Sequence, residues 1–254
     1  MPAQPLPAAT VILLREGADG LETYLLRRAA TMAFAPLMHV FPGGRVDRQD
    51  HVADVRLLGA DVEHLARRGS TDPAGIASLY ACAVRETAEE TGVVLAATGD
   101  GGTLVIDVTR LPIIDHWVTP DTESHRYDVR FFIAALPQGQ EARLATTEAD
   151  AAMWVTPAFA LREFALGRLA LLPPTEATLR HIAGFTTLED VLRDAARRPI
   201  VPLLPRRIVD ETGGRRWIMV NDRTGEVLAD PIEAPHTRET DGVRRRDPWA
   251  EVPP

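Results

Sequence analysis

The chain is short of the residues that would commit it to several functional classes. It has a single cysteine, Cys82, which excludes an intrachain disulfide framework. Cys82 lies in an apolar helical run, the setting of a small core residue rather than a reactive thiol. No apolar run approaches the roughly 18 residues that a membrane span needs. The segment "MPAQPLPAATVILLREG" has no basic stretch ahead of its short strand-like apolar run, so a cytoplasmic protein without membrane partners is expected. Positive charge is in deficit: the net charge of −8 and pI near 5.4 disfavour nonspecific contact with nucleic acid or anionic lipid. The histidines at 39, 51, 64, 116, 125, 181 and 236 show no paired ligand spacing. There is no internal repeat and no low-complexity tract.

What is present is an ordinary globular composition, 45% hydrophobic and 25% charged over 254 residues, enough to bury a sizeable core. "ATVILLRE" and "LETYLLRRA" alternate around "GADG" and read as a β-hairpin. "MHVFPGG" reads as a short strand entering a tight turn. Residues 51–72 carry helical periodicity that "STDP" interrupts. Asp72 as N-cap, Pro73 in the first helical position and Gly92 just past the end bracket a helix over 73–91. Its expected core edge is Ala77, Ala81, Val84 and Ala88. "TLVIDV", "DHWVTP", "YDVRFFIAAL" and "AAMWVTP" read as strands, and "TPAFALREFALG" and "TEATLRHIAGFTTLEDVLRDAARR" as helices. Mixed strands and helices imply an α/β or α+β fold. From Pro199 onward a Pro-bounded, hairpin-like segment precedes a polar, loosely ordered tail at 233–254. The chain therefore divides into a domain over 1–198 and an extension over 199–254.

Chemistry concentrates in "ACAVRETAEETGVV". On a helix, Glu86, Glu89 and Glu90 share one edge directly behind Arg85. In a cleft, two such carboxylates about 5 Å apart repel by about 3 kcal/mol at an effective dielectric near 20. Either the face is solvated or a cation belongs there. Hard divalent cations favour carboxylate oxygens and commonly keep waters while binding substrate phosphates. Upstream, the Gly43–Gly44 turn lets the backbone approach a ligand closely.

These residues resemble the Nudix hydrolase family, whose box reads G-x5-E-x7-R-E-U-x-E-E-x-G-U with U a bulky aliphatic. Gly44 takes the leading glycine, Asp50 stands for the first glutamate, and Arg85, Glu86, Glu89, Glu90, Gly92 and Val93 supply the second half. Thr87 fills a bulky slot. Residues 51–84 stand where the pattern has seven positions, so the box is interrupted by an insertion. The sequence is similar in this to the subgroup that includes the mammalian peroxisomal coenzyme A diphosphatase, and the likeness extends through "FAPLMHVFPGG", "RYDVRFF" and "LLPPTEATL". The resemblance implies an α/β/α sandwich with a mixed sheet, and Mg²⁺ or Mn²⁺ held by Glu86, Glu89, Glu90 and the Gly43 carbonyl. It also implies Arg85 forked onto Glu86, and Asp50 supporting the site from behind. Either Glu86 or Glu148 would act as general base.

For the substrate, Arg28 and Gly44 lie beside the turn. Strand alternation places Arg126 and Arg130 on one face, where arginine forks suit phosphate oxygens. His39 is expected to make a structural hydrogen bond. The resemblance implies hydrolysis of a nucleoside diphosphate linked to another moiety, with coenzyme A or acyl-coenzyme A giving 3′,5′-ADP and a 4′-phosphopantetheine product. A further motif of coenzyme A-cleaving members fits at Arg28-Ala29 but has Ala33 and Leu37 where arginine and glycine are usual. Hydrolysis of ADP-ribose or NADH, or a catalytically silent nucleotide-binding domain, are the alternatives. Many family members dimerise, so a homodimer is left open.

Overall fold

The computed structural model describes residues 3–209 and 215–228. The expected hairpin forms from β1 (Leu6–Gly17) and β2 (Gly20–Arg28), with Gly17 opposite Gly20. Gly20 has φ +112°, a turn geometry that favours glycine. There follow β3 (His39–Val40), β4 (Gly43–Arg45), α1 (Arg48–Val52), β5 (Val55–Leu58), α2 (Val62–Arg68) and α3 (Pro73–Thr91). Next come β6 (Ala97–Thr98), β7 (Leu104–Asp107), β8 (Ile113–Val118), β9 (Tyr127–Ala135) and β10 (Ala149–Val155). The chain continues through α4 (Pro157–Ala165), α5 (Pro173–Ile182), α6 (Leu188–Arg197), β11 (Pro202–Val209), β12 (Arg215–Asn221) and β13 (Val227–Leu228).

The main sheet runs β10-β2-β1-β9-β8-β11-β12-β13, with β3 beside β2 and β4 beside β1. Its pairings are antiparallel except β1 with β9 and β8 with β11, which are parallel. Alternation sends Val11, Leu13, Phe132 and Ala134 into a core shared with Tyr80 and Leu79 of α3. Ile12, Leu14, Phe131 and Ile133 go to the opposite core, with Ala160, Leu179 and Val191 of α4, α5 and α6. Helices thus cover both faces of a mixed sheet, the α/β sandwich the sequence implied. Fully burying such an aliphatic or aromatic side chain contributes about 1.5–3 kcal/mol.

The caps of α3 fall where the sequence places them. The Asp72 carboxylate accepts the Gly75 N–H at 2.7 Å, and Gly92, at φ +73°, donates to the Ala88 carbonyl. The core face is shifted from the edge expected: Ala81 and Val84 are buried, but Ala77 and Ala88 are only partly so. Leu79, Tyr80, Cys82 and Ala83 are enclosed, because α1, α2 and β5 pack around the helix. Cys82 is a buried core residue, as its setting implied, and burial pushes its thiol pKa up.

The inserted stretch corrects one expectation. Residues 51–72 are not helical throughout. Val55 and Leu57 turn inward while Leu58 turns out, and β5 pairs in parallel with β7 in a small β5-β7-β6 sheet. The end of α1 at residues 51–52 and α2, capped by Asp61 on the His64 N–H, keep the helical reading. At the other end, β11 docks on β8 with Pro202 opposite His116, so the hairpin of β11 and β12 continues the main sheet. The tail at 233–254 lies outside the described residues. Among the described residues, no helix is long and apolar enough to cross a membrane.

Candidate active site

The site gathers where α3 passes the β4 turn. Gly43 sits at φ +156°, and a Cβ there would meet the Ala9 carbonyl and Thr10 Cα of β1, so the strand can pair this closely only with glycine. The Gly43 N–H donates to Glu90 Oε2 at 2.8 Å. The turn therefore meets the acidic helix through its amide. A Cβ on Gly44 would run into the Glu86 carboxylate.

Arg85 organises the remaining carboxylates. Its Nε and Nη2 each donate to Asp50 at 2.8 Å, and its Nη1 reaches Glu86 at 2.7 Å and Glu89 at 2.9 Å. The fork expected on Glu86 thus closes on Asp50, and the glutamates share the remaining nitrogen. Asp50, nearly inaccessible to solvent, is held by its place on α1, where its carboxylate also accepts the Asp47 N–H. These bonds keep the Arg85 guanidinium protonated.

Burial sets the protonation of the cluster. It pushes the Glu90 carboxyl up to about 8, with Glu86 and Glu148 adding to the rise and the Gly43 amide and Arg28 opposing it. Burial also raises Glu86, against the pull of Arg85. Glu89 is the solvent-facing member, with 56% of its side chain exposed. Among the described residues, no three His, Cys, Asp or Glu side chains are arranged as a ready ion-binding group. The reason is visible in the geometry: Glu86 and Glu89 are turned onto Arg85, and Glu90 onto the Gly43 amide.

The cluster lies at one end of a cleft of about 480 Å³. Arg28, Gly43, Gly44, Glu86, Glu89 and Glu148 all line it. Arg28 is fixed by its Nε on the Phe34 carbonyl at 3.0 Å, while Glu148 follows the loop that pairs its carbonyl with the Ala29 amide.

Two expected substrate residues are not in the cleft. Arg130 is buried and bonded to the Gly69 and Ser70 carbonyls and to Asp128, which also takes His116 Nε2 at 2.5 Å. Arg126 is spent on the Thr119 and Ala3 carbonyls. Arg126 stands just before β9, and within the strand Tyr127, Val129 and Phe131, on the face opposite Arg130, are the residues that line the cleft. The same period-two rule would have found them, had the apolar rather than the charged residues been followed. Leu172, Pro174 and Thr175, from the "LLPPT" segment, and Pro205 of β11 complete the lining. Pro205 lies too far along the chain for any local signal to reveal it. His39 makes the structural bond expected, with Nδ1 3.3 Å from the Ala170 carbonyl.

Comparison with known proteins gives the following. The family model described as NUDIX domain matches residues 69–173. The acyl-coenzyme A diphosphatase NUDT19 of Gallus gallus is 25% identical, over 84% of this chain and 74% of that protein. The acyl-coenzyme A diphosphatase NUDT19 of Homo sapiens is also 25% identical, but the match spans 68% of this chain and only 64% of that protein. A solved NUDIX hydrolase from Alicyclobacillus acidocaldarius is 30% identical, with a TM-score of 0.62, over 75% of this chain and 96% of that one.

Proposed function

The chain belongs to the Nudix hydrolase family, and from that premise we propose that it hydrolyses the diphosphate linkage of coenzyme A or an acyl-coenzyme A. The products would be 3′,5′-ADP and the 4′-phosphopantetheine part, and the cofactor Mg²⁺ or Mn²⁺. The observation that carries this is the meeting of Glu86, Glu89 and Glu90 with the Gly43–Gly44 turn at a cleft end that Glu148 and Arg28 also line. Support for the substrate comes from the relatives named acyl-coenzyme A diphosphatase.

The donor set suits a hard divalent ion. Glu90 is destabilised when ionised, and oxygen ligands of this kind suit Mg²⁺ and Mn²⁺. Glu86, Glu89 and Glu90, with the Gly43 carbonyl, would hold the ion, the first two glutamates turning from Arg85 Nη1. When bound, such an ion offsets the negative charge gathering on phosphorus oxygens and makes water a better nucleophile. Arg85, anchored on Asp50, keeps Glu86 and Glu89 on one edge. Glu86 or Glu148 takes the proton of the attacking water as its oxygen bonds to phosphorus. The bridging P–O bond breaks, and its electron pair leaves with the departing phosphate. Arg28, with Nε on Phe34, has its Nη groups for a phosphate oxygen.

The test is a product-resolved panel with Mg²⁺ and Mn²⁺ covering coenzyme A, acyl-coenzyme A, ADP-ribose, NADH and nucleoside triphosphates. Release of 3′,5′-ADP from coenzyme A or its acyl esters in clear preference supports the reading. Preferred turnover of ADP-ribose or NADH would replace the substrate and keep the reaction class.

A further inference from the structure

The strand order gives the cleft a direction. From the carboxylate end at β4, the adjacent strands are β1, β9, β8 and β11. Register ties them together: Thr10 pairs with Gly43 on one side and Phe131 on the other, Val129 with Trp117, and Trp117 with Leu203 of β11. At about 4.8 Å per strand, the four steps from β4 to β11 span roughly 19 Å.

The cleft-lining residues along that line are Ala8 and Thr10 of β1, the β9 residues Tyr127, Val129 and Phe131, Trp117 and Val118 of β8, and Pro205 of β11. None is charged. The indole N–H of Trp117 is taken by Asp115 at 3.0 Å, so apart from the hydroxyls of Thr10 and Tyr127 this floor offers a ligand apolar surface. The cationic side chains that line the cleft, Arg28, Arg45 and Arg85, all stand at the carboxylate end or on β4 itself. A phosphorylated ribose laid over β9 and β8 would find no cation there, and burying its charge unpaired is costly.

We infer that the cleft is divided across its strands. The trough over β1, β9, β8 and β11 receives the extended, uncharged non-nucleotide arm of the substrate, and the phosphorylated nucleoside lies at the Arg28 and Arg45 end. This rests on the diphosphatase reading above, and it adds which way the substrate lies and which residues set its preference. Acyl esters gain by filling the trough toward Trp117 and Pro205, so preference for them over polar-armed diphosphates is set by Val129 and Phe131.

Calorimetric binding of two fragments tests the orientation without requiring turnover. Octanoyl-pantetheine and adenosine 3′,5′-bisphosphate are titrated into the unmodified protein, Val129→Glu and Arg28→Ala. A carboxylate placed at 129 should weaken octanoyl-pantetheine by at least about tenfold while leaving the bisphosphate unchanged. Arg28→Ala should do the reverse. Val129→Thr, nearly isosteric, should show the same selectivity in smaller measure and serves if Val129→Glu does not fold. Loss of bisphosphate binding on changing Val129, or no binding of octanoyl-pantetheine by the unmodified protein, would overturn the orientation. Failure of the substrate reading is seen separately, as absence of coenzyme A turnover in the product panel.

Discussion

Asp50 and Arg85 stand 35 residues apart in sequence, with the inserted β5 and α2 between them, yet close on each other through two bonds of 2.8 Å. The insertion leaves this pair intact because α1 and α3 pack together and carry one partner each. Breaking a buried ion pair by removing one partner typically costs about 3–5 kcal/mol. Asp50→Ala should therefore lower the denaturant midpoint clearly. It should also reduce kcat, since the freed guanidinium can grip Glu86 and Glu89 more tightly. Asp50→Glu, keeping the charge, should retain more of both.

The raised carboxyls make metal-free stability depend on pH. Glu90 titrates near 4.5 in the unfolded chain and at about 8 in the fold. Its contribution is complete below the lower value, where it is protonated in both states. It is lost as pH rises through the upper one, because the fold then holds a buried charge that the unfolded chain exposes to water. Glu86 shifts in the same direction. The melting temperature of metal-free protein should fall between about pH 5 and 8 by an amount equivalent to a few kcal/mol. Glu90→Gln should flatten that slope, and added Mg²⁺ should raise the melting temperature more at pH 8 than at pH 5.

Arg130 provides a contrast with Arg28. Arg130→Met should destabilise the protein by a few kcal/mol, because it leaves Asp128 and the Gly69 carbonyl short of a partner in the interior. The KM of the folded fraction should not change. Arg28→Ala should show the opposite split, with normal melting and raised KM. Asp128 itself, held down to about 2 by His116 and Arg130 against the cost of burial, should contribute stability above pH 3.8 that is lost toward pH 2.

Gly43→Ala tests the turn. With a positive φ and the Ala9 carbonyl in the way, the substitution should cost about 1–3 kcal/mol and displace the amide that bonds Glu90. Thermal melting and activity should both fall.

The functional helix was legible because its signals are local: Asp72, Pro73 and Gly92 fix its ends, and the spacing of Glu86, Glu89 and Glu90 fixes their common edge. The hairpin of β1 and β2 was legible for the same reason. The strand at Val55–Leu58 was not, because four residues are too few to separate period two from helical spacing, and its partner β7 lies far along the chain. Arg130 lies on the side of its strand away from the cleft, and Arg126 falls just before that strand. Alternation says which residues share a face and leaves open which face looks into the cleft. That was decided by the elements that pack around the cleft, which put Leu172 and Pro174 at the start of α5 and Pro205 of β11 into its lining.

The most direct test of the carboxylate cluster is hydrolysis of an acyl-coenzyme A with Mg²⁺, followed for the unmodified protein, Glu89→Gln and Glu90→Gln, each with and without EDTA. We expect 3′,5′-ADP from the unmodified protein only when metal is present, and a fall of at least about a hundredfold in both variants while they remain folded. Full turnover by the variants, or turnover indifferent to EDTA, would contradict the assignment of these glutamates as the ion-holding group.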